Sequence, residues 1–121
     1  MKIAIPAEEN QMESPVSPSF GRTAYYAIVD STTLEYNFIL NPGAESQGGA
    51  GIKAAQAVID SGAEAVITFH LGQNAADLLQ SAGVKILKAV PGTITETVRQ
   101  YVAGKLNELT EIHAGYHHGG A

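Results

Sequence analysis

The chain predicts an α/β fold, a mixed sheet covered by helices. Three observations carry that prediction. From residue 52 onward, helix-like and strand-like runs alternate, which implies parallel strands joined by right-handed crossovers. Two β-rich runs before that point, separated by the polar turn "DSTT", imply an N-terminal antiparallel hairpin. Finally, 121 residues, 45% of them hydrophobic and 16% charged, suit a single domain with one modest core. The expected organisation is one domain over residues 1–110 and a flexible histidine-containing tail over 111–121.

The elements follow in order. "KIAI" (Lys2 to Ile5) alternates polar and apolar residues and stops at Pro6, so it reads as a first strand. Residues 7–23 show no sustained period, and Pro15 and Pro18 restrict the backbone at Ser14 and Ser17, so a long loop is expected. "YYAIV" and "LEYNFIL" form the hairpin, with Leu34, Tyr36, Phe38 and Leu40 sharing one face. "NPGAESQGGAG" (Asn41 to Gly51) is an aperiodic, glycine-rich loop. It leads into a helix whose Ile52, Ala55, Val58 and Ile59 share a face and which stops at Gly62. "AEAVITF" reads as a buried strand. Asn74, with Asp77 three residues on, reads as the cap of a second helix ending at Gly83. "VKILKAV" supplies the last strand. Thr93 and Glu96 stand in capping-box spacing before a helix that buries Ile94, Val98, Tyr101 and Val102 and ends near Gly104. The tail "HAGYHHGGA" has no apolar period.

Composition removes several classes of function. A net charge of −5, with seven Lys and Arg spread along the chain, lacks the clustered positive charge that phosphate backbones require. Nucleic acid is therefore not an expected partner. No apolar run is long enough to cross a bilayer, and the short apolar stretch of "MKIAIPAEEN" runs into two glutamates, unlike a secretory signal. No membrane association is expected, and the cytoplasm is the expected location. Without cysteine, any metal must be held by imidazole, carboxylate or backbone groups.

Three stretches suggest ligand chemistry. In "SQGGAGIK", Gly48, Gly49 and Gly51 allow close backbone approach at a helix N-terminus whose dipole is positive, and Lys53 adds charge. That suits an anion, although the same residues also make a plain flexible connection. In "FHLGQNA", His70 follows a strand end, where α/β sheets gather ligands. It reads as a metal ligand or proton shuttle, or as a partly buried loop residue. The tail histidines His113, His117 and His118 could take up metal loosely. Arg22, closing "SPSFGR", reads either as the fixed charge of a ligand pocket or as a loop residue paired with an acid, with Phe20 anchoring that loop. Glu8, Glu9 and Glu13 read as a solvated face. With no cysteine nucleophile, no Gly-x-Ser-x-Gly elbow and no histidine near paired carboxylates, the chain is expected not to be an enzyme.

Taken together and in order, "MKIAI", "VSPSFGR", "NPGAESQGGAG", "VITFHLGQNA", "LLQSAGVKI" and "TVRQYVAGKLNEL" resemble the dinitrogenase iron-molybdenum cofactor biosynthesis family of nitrogenase-accessory-like proteins. The resemblance runs from Met1 to about Leu109. It implies a three-layer, ribonuclease-H-like α/β domain, with helices on both faces of a mixed five-stranded sheet, that binds or carries an anionic iron-sulfur or iron-molybdenum-type cluster, or its precursor. From the residues and this resemblance together, the expected cofactor-binding residues are Ser17, Ser19, Phe20, Gly21, Arg22, Gly48, Gly49, Gly51, Lys53 and Asn74; His70 stands where similar sequences generally have a small or polar residue, and from its place past a strand end it is the expected metal ligand, taking over from a histidine that the first loop lacks. The resemblance also implies a possible protein partner in cofactor assembly. Such proteins usually read Ser-Pro-His-Phe-Gly-Arg in the first loop, and here Ser19 takes the histidine's place. A second reading is therefore a metal-free interaction or regulatory module that keeps the fold.

Overall fold

The computed structural model describes residues 1–110 and residue 112. Five strands, β1 (Lys2–Ala7), β2 (Tyr25–Asp30), β3 (Tyr36–Leu40), β4 (Ala65–Thr68) and β5 (Lys85–Lys88), form one sheet in the order β3-β2-β1-β4-β5. β2 runs antiparallel to both β1 and β3, while β1, β4 and β5 are parallel. The expected mixed five-stranded sheet with its antiparallel hairpin is therefore observed. Its parallel half arises where α1 (Ala50–Asp60) carries the chain from β3 past β2 and β1 to β4, and α2 (Gln73–Ser81) crosses from β4 to the neighbouring β5.

Side-chain alternation along the strands divides the core into two. Ala4, Tyr26, Ile28, Val66 and Ile86 face α1 and α2, meeting Ala54, Ala55, Val58, Ala76 and Leu79. Ile3, Ile5, Ala27, Val29 and Ile67 face the opposite way and pack against Ile94 and Val98 of α3 (Ile94–Val102). Two helices thus cover one face and one covers the other. Gly62, Gly83 and Gly104 follow the helix ends with φ of 86°, 80° and 72°, the left-handed turn that glycine accepts without strain.

Five local expectations change. β1 continues through Pro6 to Ala7 because Pro6 pairs with Tyr26 beyond Ala4, the last β1 residue paired with β4. Its missing N–H therefore costs no ladder bond. Leu34 lies outside β3: it has φ 67° and is 56% exposed, because its N–H bonds back to the Asp30 carbonyl in the turn. Ile52 and Val102 are exposed rather than core, being placed at the first turn of α1 and the last turn of α3, where the helices overhang the sheet. Asn74 does not cap α2; Gly72 occupies the cap position and Asn74 lies in the first turn. His113, His117 and His118, expected to take up metal loosely, lie outside the described residues, while Ile112 is partly buried against the α1/α2 core.

Candidate functional site

The long connection from β1 to β2 is held rigidly by its own side chains. Ser14, fully buried, accepts the N–H groups of Glu8 and Glu9 at 3.0 Å each. The Ser17 N–H bonds to the Pro6 carbonyl, and the Ser17 hydroxyl bonds the backbone of Ser19. Ser19 in turn accepts the Arg22 N–H at 2.9 Å. Phe20 is buried against Tyr26, ring centroids 5.4 Å apart, and the Tyr26 hydroxyl donates to the Phe20 carbonyl. Burial raises the Tyr26 pKa far above the ordinary tyrosine range, so the hydroxyl keeps its proton and remains a donor.

Asn41 joins this loop to the next one. Its amide donates to the carbonyls of Gly21 and Thr23 at 3.0 and 2.9 Å, and its carbonyl oxygen accepts the Gly43 N–H at 2.8 Å. Gly43 sits so close to α1 that a β-carbon there would lie 2.5 Å from the Ala50 carbonyl oxygen. Gly49, with φ 68°, then turns the chain into α1 through a conformation that a side chain would strain. The result is that Gly21 rests against Gly51: a β-carbon at Gly21 would meet the Gly51 nitrogen at 3.4 Å.

These contacts enclose a cleft of about 420 Å³ beyond the C-terminal ends of β1 and β4. It is lined by Ser19, Phe20 and Gly21 of the first loop and by Gly49, Ala50, Gly51 and Ile52 at the start of α1. His70, Leu71, Gly72, Asn74 and Ala75, around the start of α2, complete it. Both helices begin there without a side-chain cap, whereas α3 has a complete Thr93–Glu96 capping box. The first-turn N–H groups of a helix have no partner within it, and they carry the positive end of the dipole. Two such ends open into this one cleft, which suits an anion.

Seven of the residues singled out from the sequence, Ser19, Phe20, Gly21, Gly49, Gly51, His70 and Asn74, are thereby brought together. Ser17, Arg22, Gly48 and Lys53 are not among the lining residues. The Arg22 guanidinium donates to the carbonyls of Ser46 and Ala44, and Lys53 Nζ to Ser46 Oγ at 3.1 Å. Both exposed cations thus brace the glycine-rich loop from outside; among the described residues Arg22 pairs with carbonyls and not with an acid. His70 is exposed, not a buried loop residue. Sequence reasoning missed Asn41, Gly43, Leu71 and Gly72. The Asn-Pro-Gly turn signal was the available pointer to the first two.

A family model described as dinitrogenase iron-molybdenum cofactor matches residues 1–104. The chain belongs to the dinitrogenase iron-molybdenum cofactor family. It is similar to the orange protein of Desulfovibrio gigas, solved in its apo form. The two are 32% identical with a TM-score of 0.85, covering 90% of this chain and 92% of that one. A Thermotoga protein named for NifB is 31% identical with a TM-score of 0.80, covering 98% of each chain. A Methanocaldococcus jannaschii protein described as uncharacterized is 29% identical over 112 residues, 90% of this chain and 92% of its own length. The family match spans the first loop, the glycine-rich loop and the β4–α2 turn, so every element lining the cleft lies within the dinitrogenase iron-molybdenum cofactor region. Among the described residues, no helix is long and apolar enough to cross a membrane.

Proposed function

We propose that this protein binds and carries an anionic metal cluster or cluster precursor, of iron-sulfur or iron-molybdenum type, during cofactor assembly in the cytoplasm, without catalysing a reaction. The observation that carries this reading is the convergence of two uncapped helix N-termini on one cleft beside His70. Their N–H groups provide hydrogen bonds and positive potential to a cargo whose charge the protein's net −5 would otherwise repel. At contact distance the local field prevails, because charges more than about 8 Å away are largely screened at physiological salt.

A bare metal ion asks for three or four protein donors. Among the described residues no three His, Cys, Asp or Glu side chains gather. The cargo that suits the cleft is therefore a preassembled cluster that brings its own sulfides and accepts one imidazole from His70. Ser19 and Gly21 line the same cleft, and Arg22 and Lys53 keep the glycine-rich loop in place. On this reading the ribonuclease-H-like arrangement expected from the sequence serves to hold a ligand. Family membership supports the reading, as does a relative solved in an apo form, a term that presupposes a bound one.

Anaerobic titration of the purified chain with a reconstituted iron-sulfur or iron-molybdenum-type cluster, followed by visible absorption, tests the proposal. Stoichiometric uptake by the wild type and an altered spectrum with weaker uptake by His70→Ala are expected. No uptake overturns the carrier role, and identical behaviour of the two proteins overturns the role of His70. Ser19, standing where the family usually has histidine, favours the second reading of a metal-free interaction module. That reading requires a colourless, metal-free protein after anaerobic expression.

A further inference from the structure

Asn41, 6% exposed, carries the one buried side-chain amide among the described residues. Its Nδ2 donates to the carbonyls of Gly21 and Thr23 at 3.0 and 2.9 Å, and its Oδ1 accepts the Gly43 N–H at 2.8 Å. Two carbonyls on one side and an N–H on the other fix which end of the amide is nitrogen. A serine or threonine has one hydrogen to give and an ionised aspartate has none, so these three partners together call for an amide. Leaving any of them buried without a partner would cost free energy.

The residues that Asn41 joins form a closed circuit around one corner of the cleft. Asn41 holds Gly21 through its carbonyl and Gly43 through its N–H. Gly43 abuts the Ala50 carbonyl at the start of α1, and Gly51, the next residue, abuts Gly21. Within this circuit Asn41 contributes a side chain, whereas the other members meet through backbone atoms. Gly21, Ala50 and Gly51 line the cleft and Asn41 does not. Its side chain therefore acts on the cleft from behind, through the two backbone walls that it spaces.

A second tie crosses the same two loops from outside, where the exposed Arg22 guanidinium reaches the Ala44 and Ser46 carbonyls. Water competes for an exposed hydrogen bond, and a long side chain has many rotamers. The short, buried amide has neither freedom. We propose that Asn41 is the positioning residue of the cargo cleft. It fixes the distance between the first loop at Gly21 and the start of α1 at Gly51, and through that distance it sets the affinity of the site. The spacing stands on the contacts alone, while the effect on affinity rests on the carrier reading.

Amide hydrogen exchange and the anaerobic cluster titration, both on the full chain carrying Asn41→Ala, test the two parts. The N–H groups of Arg22, Ser46 and Lys53 report on the walls, because they bond to Ser19 Oγ and to the Gly43 and Gly49 carbonyls, none of which belongs to Asn41. In the variant they are expected to exchange at least about tenfold faster than in the wild type, while the Thr97 and Ala103 amides of α3 keep their rates. Cluster affinity is expected to fall about tenfold at unchanged stoichiometry per folded chain. A residue that served only to stabilise the fold would speed the α3 amides equally and lower the stoichiometry instead. Asn41→Ser, whose hydroxyl can accept the Gly43 N–H but donates at most once, decides the matter if Asn41→Ala fails to fold. Unchanged exchange at Arg22, Ser46 and Lys53, or equal acceleration in α3, overturns the positioning role, as does a cluster affinity equal to that of the wild type. A wild type that takes up no cluster overturns the carrier reading, and the exchange rates then uphold or overturn the spacing role by themselves.

Discussion

At Gly43 the glycine-rich loop passes so close to the start of α1 that a methyl group has no place. A β-carbon would lie 2.5 Å from the Ala50 carbonyl oxygen, a backbone atom that cannot swing aside. Gly43→Ala is expected to lower stability by about 1–3 kcal/mol through overpacking, measured as a shift of the urea midpoint. Gly51 differs, although both glycines belong to the same site. There a β-carbon would meet the Ala75 β-carbon at 3.5 Å, an ordinary contact, and the position is helical. Gly51→Ala is expected to raise stability by about 0.5–1 kcal/mol. Because Gly51 lines the cleft, the same methyl group is expected to weaken cluster uptake about tenfold, or ~1.4 kcal/mol, in the anaerobic titration. Opposite signs for fold and for binding identify a glycine kept for the ligand.

At the scale of the element, the three helices separate by how they begin. α3 begins with a complete capping box; α1 and α2 start at glycines without a side-chain cap, and those starts open into the cleft. Gly72, with φ −79° and ψ 159°, already has the extended geometry of an N-cap. Gly72→Asp is therefore expected to stabilise the fold by about 0.5–1 kcal/mol through a new cap and a favourable charge on the dipole. Its carboxylate would occupy the N–H groups offered to the cargo, so cluster uptake is expected to fall at least about tenfold. Removing the existing cap with Thr93→Ala is expected to do the reverse: it costs about 1 kcal/mol and leaves uptake unchanged. Denaturation and cluster titration on the same samples check both.

At the scale of the molecule, the hairpin is tied to the N-terminus by one acid. Asp30 Oδ1 accepts the N–H groups of Thr32 and Thr33 at 2.8 and 3.1 Å and lies 3.8 Å from the N-terminal ammonium. These hydrogen bonds, with smaller help from the ammonium and Lys2, hold its pKa below the usual 3.8. A depressed folded pKa contributes stability that is complete above the unfolded value and lost as pH falls through the folded one. Stability is therefore expected to be level in this respect above about pH 4 and to decline on further acidification. Asp30→Asn should flatten that part of the profile, as urea midpoints across the acid range would show.

The sequence by itself determined the order of elements, the mixed sheet, the α3 capping box and the glycine stops. Each of these depends on chemistry local to a few neighbouring residues. It also assigned seven of the residues that meet in the cleft, because strand ends and helix starts are local features that an α/β sheet gathers on one side. Only the tertiary structure decided what Arg22 does. Its carbonyl partners lie 22 and 24 residues away in a loop with no period of its own, so no local pattern could join them. The same holds for Asn41, which meets Gly21 across 20 residues, and for the place of β3 at the end of the strand order. Strand order and backbone direction come from pairing between distant segments, and that pairing sets β3 at the edge of the sheet.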